Sequence, residues 1–306
     1  MSQSTISVFQ LFEMFPDQGS ARVYLEGRRW SQGVDCPHCE GEKITIRKGT
    51  RTGYYRCRDC KTEFTVRTGT IFERSHVPLH KWLYAMYILV TARKSISSMQ
   101  LSKEIGVTQK TAWFMLGRLR KACGDDIGKL GGIVEIDEAY IGGMEKNKHK
   151  SKRQKLGRGP VGKQAILGMR ERSGKSVAKL ISAADRATLH GQISRHVEFG
   201  ATIYTDEHRG YAGLSRYGRE SIRHSLGEYV RDGNVHTNGA ESMWAVFKRS
   251  IHGIWHHVSS KHLASYANEC TFRLNEGRCE LHTLDRLASL ASKTFKHRIT
   301  YREITA

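Results

Sequence analysis

Apolar residues recur at helical spacing near the N-terminus of the chain. Val8, Leu11 and Phe15 lie three or four positions apart, which predicts one or two helices. We place these helices within residues 1–30. The longest apolar stretch, residues 82–90, predicts a buried helix and is far shorter than the roughly 20 residues that cross a bilayer.

A pair of short helices joined by a tight turn is predicted between residues 98 and 122. Ser98 can cap the first helix, Gly106 supplies the turn, and Thr108 can cap the second helix. This arrangement is typical of a helix-turn-helix. The alternative is a plain helical hairpin that connects two domains.

Polar residues of the second helix are the candidate DNA contacts. Gln109, Lys110 and Arg118 fall outside its apolar stripe, and Lys121 lies near its end. A recognition helix reads base edges in the major groove with residues near its N-terminus. We therefore expect these four side chains to contact DNA.

Short strands replace helices in the pattern from residue 131 onward. Residues 131–143 form an apolar run bounded by glycine pairs, and Asp185 is placed to cap a helix. Further strands are predicted at residues 164–171, 175–183, 201–205 and 219–225, and helices at residues 186–199, from 238 onward and at 260–275. Three strands, a helix, a fourth strand and more helices is the order expected of an RNase H-like α/β core.

The chain carries a large excess of positive charge. Fifty Lys and Arg residues against 30 Asp and Glu give a formal net charge of +20. Residues 144–163 form a basic loop, expected to become ordered on DNA, in which Lys152 and Arg153 are candidate contacts. The excess favours nucleic acid over an anionic membrane surface, because no basic amphipathic anchor helix is evident. The N-terminal residues do not resemble a signal peptide, so we expect a cytoplasmic protein.

Four of the seven cysteines form two Cys-x-x-Cys pairs. Cys36 and Cys39 are followed, after 17 intervening residues, by Cys57 and Cys60. Two such pairs complete a tetrahedral zinc site, here one that holds a small fold together rather than performing chemistry. Four reduced core cysteines are the alternative. The spacing favours a zinc ribbon.

Three carboxylates occupy positions that could carry catalysis. Asp137 interrupts an apolar strand, Asp206 ends the fourth strand, and Glu241 lies in the first turn of a helix. In an RNase H-like core such acids can share two Mg²⁺ ions, which prefer oxygen ligands and act in phosphoryl transfer. A capping role for Glu241 is the alternative. Glu138 and Glu207 are the adjacent alternatives to the two aspartates, and their side chains are expected to point to the opposite strand face.

Several short motifs give the chain a family resemblance. Residues 135–138 (EIDE), 204–207 (YTDE) and 236–242 (HTNGAES) carry it, together with residues 140–143 (YIGG) and 256–259 (HHVS). The chain resembles DDE-type transposases of bacterial insertion sequences that have an N-terminal zinc ribbon, the insertion-sequence fifteen-ninety-five group.

The resemblance implies a site, cofactors and partners. Asp137, Asp206 and Glu241 would bind two catalytic Mg²⁺ ions, with Mn²⁺ able to substitute, and Lys248 would contact DNA. The activity would be cleavage at the terminal inverted repeats of the protein's own element and strand transfer into target DNA. The partners would be double-stranded DNA and a second copy or more of the chain, in the bacterial nucleoid.

The resulting fold class is multidomain α+β. The expected segments are N-terminal helices at 1–30, a zinc ribbon at 31–72, a helix-turn-helix domain at 73–128, an RNase H-like catalytic core at 129–275 and a helical C-terminal tail at 276–306. Two rival functions stay open: a non-catalytic DNA-binding regulator derived from a transposase, and a metal-dependent nuclease without strand transfer. A serine recombinase is disfavoured because no serine is marked as a nucleophile.

Overall fold

The computed structural model describes residues 5–124, 127–143, 145–153, 161–172, 174–223, 228, 230–231, 233–276 and 280–305. The chain divides into two compact units, one of residues 1–125 with 276–306 and one of residues 126–275. The segment expected to be a separate C-terminal tail therefore belongs to the same unit as the N-terminal helices. Among the described helices, none is both long enough and apolar enough to cross a membrane.

The secondary structure comprises eight strands and ten α-helices in the described residues. The strands are β1 (Ile44–Ile46), β2 (Tyr54–Cys57), β3 (Glu63–Thr65), β4 (Ile133–Ile141), β5 (Gln164–Glu171), β6 (Ser176–Ile181), β7 (Thr202–Thr205) and β8 (Gly218–Ser221). The helices are α1 (Val8–Met14), α2 (Gln18–Arg29), α3 (Leu79–Thr91), α4 (Ser98–Ile105), α5 (Gln109–Ala122), α6 (Arg186–His196), α7 (Asn238–Ser250), α8 (Ser260–Glu276), α9 (Thr283–Thr294) and α10 (Tyr301–Thr305).

The first unit surrounds a small antiparallel sheet with helices. Strands β1, β2 and β3 pair in sequence order. Trp30, at the end of α2, packs edge-on against Tyr55 and Phe64 of this sheet, with ring centroids 5.0 and 5.9 Å away. Arg286 of α9 donates a hydrogen bond to the carbonyl oxygen of Val90 at 3.1 Å. These contacts explain why the last helices join this unit.

Helices α4 and α5 form the predicted pair. Gly106 adopts the left-handed conformation (φ 62°) that ends α4, and Thr108 caps α5 by accepting from the backbone N–H of Thr111. The cap of α4 is Ser97, one residue before the predicted Ser98. Ser97 accepts from the backbone N–H of Gln100 at 3.1 Å, so the helix includes Ser98 as its first residue.

The second unit contains a five-stranded mixed sheet in the order β6-β5-β4-β7-β8. Strands β4, β5 and β6 are antiparallel neighbours, whereas β7 lies parallel to β4 and β8 parallel to β7. One face packs against α6 through a core that includes Val134, Ile136 and Ile193. The other face packs against α7 and α8 through a core that includes Ala139 and Trp244.

The predicted element order holds in this unit, with shorter elements than expected. Helix α6 ends at His196 rather than at residue 199, and β8 ends at Ser221 rather than at residue 225. Asp185 caps α6 as predicted, because its carboxylate accepts from the backbone N–H of Thr188 at 3.0 Å. In the basic loop, the described residues form two short 3₁₀ turns at Glu145–Asn147 and Lys150–Lys152, and residues 144 and 154–160 lie outside the described residues.

Candidate active site

Two of the three predicted acids meet at the centre of the sheet in the second unit. The parallel pairing of β4 with β7 places Ile133 opposite Thr202 and Glu135 opposite Tyr204. The same register, continued by two residues, aligns Asp137 with Asp206. Neighbouring strands lie about 4.8 Å apart, so the two acids are adjacent across the strand pair.

Burial and neighbouring charges act on Asp137. Its pKa is raised to about 6, first by burial and then by the charges of Asp206 and Glu241. The backbone N–H of Glu138 donates to Asp137 Oδ1 at 2.9 Å, and this bond and the charge of Lys248 oppose the rise. The electrostatics thus link all three predicted acids and Lys248.

Glu241 lies in the first turn of α7, as predicted, and the N-cap of this helix bears on the alternative capping role. The N-cap is Thr237 rather than Asn238, so Asn238 is the first helical residue and Glu241 lies one position beyond the place a capping box requires. Thr237 Oγ1 donates to Glu241 Oε1 at 3.4 Å. The Glu241 side chain is exposed, and the observed N-cap does not match the capping box that the alternative for Glu241 assumed.

A glycine allows α7 to approach the sheet beside Asp137. Gly168 of β5 is paired directly with Asp137 in the β4–β5 register. A Cβ atom at this position would lie 2.5 Å from Trp244 Cζ2 and would also overlap Met243, both residues of α7. Helix α7 therefore packs closely against β5 at the residue that is paired with Asp137.

Glu138, the alternative acid beside Asp137, interacts electrostatically with both predicted aspartates. The alternation of β4 directs it to the opposite face from Asp137, as predicted. Its pKa is raised to about 7, chiefly by burial, with the charges of Asp206 and Asp137 adding to the rise and the neighbouring Tyr211 hydroxyl opposing it. Glu138 Oε1 and Tyr211 Oη are buried, and neither makes a hydrogen bond of good geometry to a described residue.

The acids fit a hard divalent cation by their chemistry. Asp137, Asp206 and Glu241 offer the oxygen donors that Mg²⁺ prefers. Within the described residues, ligand atoms that all lie within 4.8 Å of one another, in a group of three or more, occur at the four cysteines and not at these acids. The carboxylate oxygens of all three acids therefore do not lie within 4.8 Å of one another.

The four predicted zinc ligands converge in the first unit. The sulfur atoms of Cys36, Cys39, Cys57 and Cys60 all lie within 4.8 Å of one another. Cys36 Sγ is 3.6 Å from Cys60 Sγ, and Cys39 Sγ is 3.6 Å from Cys57 Sγ. A tetrahedral zinc ion with Zn–S bonds of about 2.3 Å separates its sulfur ligands by about 3.8 Å. The donor set and its spacing fit structural zinc.

The predicted DNA contacts differ in their surroundings. Lys110, Lys121 and Gln109 are exposed on α5, and Gln109 Nε2 donates to Ser98 Oγ at 2.8 Å. Arg118 is instead half-buried, and its Nη1 donates to the carbonyl oxygen of Ile71 at 2.9 Å. This guanidinium holds a loop of its own unit, so the geometry argues against the predicted DNA contact at Arg118.

The remaining predicted DNA contacts belong to the second unit, on α7 and in the basic loop. Lys248 is exposed two helical turns after Glu241, on the same side of α7. Arg153 is exposed, and its Nε donates to the carbonyl oxygen of Lys148 at 2.8 Å. The side chain of Lys152 lies outside the described residues.

Comparison with known proteins identifies the family. The family model of the ISXO2-like transposase domain matches residues 129–275, and that of the transposase zinc-ribbon domain matches residues 16–63. A protein described as an uncharacterized protein in transposable element ISH50, from Halobacterium salinarum, is 33% identical over 249 residues, which cover 77% of this chain and 83% of the relative. The chain belongs to the IS1595 family of transposases. The predicted family resemblance is thereby confirmed, and the second unit corresponds to the transposase domain of the family.

Solved structures give weaker matches than the family models. A simian T-cell lymphotropic virus intasome in complex with PP2A regulatory subunit B56 gamma matches with 12% identity and a TM-score of 0.25, over 73% of this chain and 69% of that one. A pre-cleavage Mos1 transpososome matches with 11% identity and a TM-score of 0.23, over 64% of this chain and 75% of that one. Scores this low carry no argument for this IS1595-family chain.

Proposed function

We propose that this transposase cleaves DNA at the ends of its own insertion sequence and joins those ends to target DNA. The observation that carries the proposal is that β4, which carries Asp137, lies parallel to β7, which Asp206 directly follows, and that the charges of Asp206 and Glu241 both act on Asp137. Three carboxylates whose charges act on one another supply the oxygen donors that two-metal phosphoryl transfer requires. A pure DNA-binding protein has no use for them.

The sheet of the second unit supports an RNase H-like core. Its order places the first strand of the unit, β4, in the centre between an antiparallel β5 and a parallel β7. Asp137 lies in β4 and Asp206 directly follows β7, and Glu241 belongs to a helix that packs on the face to which Asp137 points. These features support the RNase H-like core that we propose for the second unit.

The chemistry assigned to the site is two successive displacements at phosphorus. Asp137, Asp206 and Glu241 would hold two Mg²⁺ ions, which orient the attacking oxygen and stabilise the leaving oxygen when bound. In cleavage, the water oxygen bonds to phosphorus, the P–O3′ bond breaks and the departing O3′ takes up a proton. In joining, that 3′-hydroxyl gives up its proton and bonds to a target phosphorus, and the target O3′ leaves. Lys248 would hold a phosphate beside the acids.

DNA recognition is assigned to the first unit. The α4–α5 pair would act as a helix-turn-helix in which Gln109, Lys110 and Lys121 face the terminal inverted repeat, since these side chains are exposed on α5. The zinc ribbon would add phosphate contacts, and Arg153 and Lys152 of the basic loop would follow the DNA backbone. The net charge of +20 favours this polyanionic partner.

Transposition requires two element ends to react together. We therefore assign the active form to a homodimer or a larger assembly on double-stranded DNA. The place of action would be the bacterial cytoplasm, on the nucleoid.

The test combines the full chain with its element's end DNA, a target plasmid and Mg²⁺. Cleavage and joining by the wild type, and neither by Asp137→Asn, are the expected result. Specific end binding without cleavage, with Mn²⁺ also tried, would favour the non-catalytic regulator. Cleavage without joined products would favour a nuclease.

A further inference from the structure

One peptide group at the start of α7 is held at both ends by the sheet. The backbone N–H of Ala240 donates to Glu135 Oε2 at 3.0 Å. The carbonyl oxygen of Gly239, at the other end of the same peptide group, accepts from Arg170 Nη1 at 2.9 Å. Glu135 and Arg170 are themselves direct partners in the β4–β5 register. We call this arrangement the peptide clamp: Glu135, Arg170 and the Gly239–Ala240 peptide group.

The charge of Glu135 is fully buried, and the surrounding residues compensate it. Only 2% of the residue is exposed. Arg172 Nε donates to Glu135 Oε1 at 3.2 Å. His236 Nδ1 lies 3.4 Å from the same oxygen and makes no hydrogen bond to a described residue. Arg172 also donates to the carbonyl oxygen of Asn234 at 2.5 Å. A buried carboxylate is costly without such partners, and the positive end of a helix dipole adds to them.

Gly239 is required by the closeness of the clamp. A Cβ atom at this position would lie 2.6 Å from Glu135 Oε2 and 3.3 Å from Arg170 Cδ. Glycine is ordinarily the poorer choice inside a helix, because alanine favours helix formation more. Its presence in the first turn of α7 follows from the approach of the two clamp side chains to the backbone.

The clamp connects the backbone of two predicted metal ligands. Glu135 is two residues before Asp137, so both side chains point to the same face of β4. Ala240 is the residue directly before Glu241. Because one hydrogen bond joins Glu135 to Ala240, the start of the glutamate-bearing helix is fixed against the strand that carries the first aspartate.

We propose that Glu135 and Arg170 are positioning residues that set the place of Glu241 relative to Asp137. Arg172 holds the Glu135 carboxylate in the orientation that the clamp needs. The proposal rests on the proposed function, since it assigns to these residues the geometry of the metal site. Residues that orient metal ligands in this way typically change metal affinity or activity about 10–100-fold when altered.

The test uses the zinc-loaded full chain and two clamp variants with matched controls. Gly239→Ala keeps every charge but intrudes on the clamp, and Gly191→Ala adds the same methyl group to α6, where nothing lies within 4 Å of the new atom. Glu135→Gln keeps an oxygen acceptor but loses the charge, and Glu269→Gln removes another buried glutamate of the same unit, one paired with Arg273 within α8. Mn²⁺ affinity is measured by electron paramagnetic resonance, together with the Mg²⁺ dependence of end cleavage, end binding and thermal unfolding.

We expect Gly239→Ala to weaken Mn²⁺ binding and to raise the half-activating Mg²⁺ concentration about tenfold or more, with end binding unchanged. Glu135→Gln should show the same direction of change, and Gly191→Ala and Glu269→Gln should bind Mn²⁺ as the wild type does. If Gly239→Ala does not fold, Glu135→Gln decides the matter. Wild-type Mn²⁺ affinity in a folded clamp variant would contradict the positioning role of the clamp and leave the metal site standing. Wild-type Mn²⁺ affinity in Asp137→Asn would contradict the assignment of Asp137 as a metal ligand.

Discussion

Asp137 on β4 and Asp206 at the end of β7 occupy aligned positions, each two residues beyond the paired residues Glu135 and Tyr204. Two carboxylates side by side repel each other, and burial of Asp137 adds to the cost of its charge. Without a divalent cation, the folded chain therefore carries an unfavourable charge at the centre of its sheet. The proposed activity requires a divalent cation at these carboxylates, and its positive charge would offset this electrostatic cost.

Replacement of Asp137 by asparagine should remove activity and increase stability at once. Because each pKa unit corresponds to about 1.4 kcal/mol, the rise from 3.8 to about 6 sets an upper limit of about 3 kcal/mol on the gain. Asparagine keeps an acceptor for the backbone N–H of Glu138. Thermal unfolding of the zinc-loaded chain at pH 7, without Mg²⁺ or Mn²⁺, and hydrogen exchange of β4 amides measure the effect.

The pH dependence of that gain provides the control. A raised pKa in the folded state means that ionisation destabilises the fold, so wild-type stability falls as the pH rises from about 4 to 6. The difference between Asp137→Asn and wild type should therefore be largest at pH 7 and shrink toward pH 5. A less stable Asp137→Asn protein at pH 7 would contradict the electrostatic account.

The zinc site should decide whether the ribbon folds. Strands β1–β3 have three or four residues each, too few for a stable sheet without further support. Cys57→Ser should reduce the zinc content from about one ion per chain to near zero and expose residues 31–66 to proteases. Cys270→Ala, a buried cysteine of the other unit, is the control and should keep its zinc. A zinc-free chain with a protease-resistant ribbon would contradict this prediction.

Local patterns were sufficient for much of the fold but not for its long-range contacts. The strand pattern around Asp137, the glycine turn at Gly106 and the Asp185 cap depend on neighbouring residues, and all three were predicted correctly. Glu135 lies in the same strand and was not recognised, because its partner Ala240 is 105 positions away. Arg118 lies outside the apolar stripe of its helix, which predicted an exposed side chain. Its acceptor, the carbonyl oxygen of Ile71, is likewise distant in sequence, so the local pattern gave no sign of this contact.

Two basic residues of α5 should respond differently to removal. Lys110 is exposed, so Lys110→Ala should weaken end binding. It should also reduce the magnitude of the slope of log K against log[salt] by about one. Arg118→Ala should leave that slope unchanged and destabilise the first unit by about 1–3 kcal/mol, because buried carbonyl groups lose their donor. Binding is measured by fluorescence anisotropy across a salt series, and stability by chemical denaturation. Equal salt slopes for wild type and Lys110→Ala would remove α5 from the proposed DNA interface.

The contact between α7 and β5 should be sensitive to a single methyl group. In Gly168→Ala the new Cβ would lie 2.5 Å from Trp244 Cζ2, and the aromatic ring is packed against Phe247 on its own helix. Overpacking of this kind costs about 1–3 kcal/mol, and relief requires α7 to move away from β4, taking Glu241 with it. We expect lower thermal stability and slower end cleavage, with end binding unchanged.

A matched glycine separates this effect from a general response to alanine. Gly191 in α6 has no atom within 4 Å of an added Cβ, so Gly191→Ala should raise stability by up to about 1 kcal/mol through helix propensity and leave cleavage unchanged. Opposite signs for the two variants would show that α7 is held close to the sheet at Gly168. If both variants were stabilised and cleaved DNA at the wild-type rate, the position of Glu241 could not depend on this close approach.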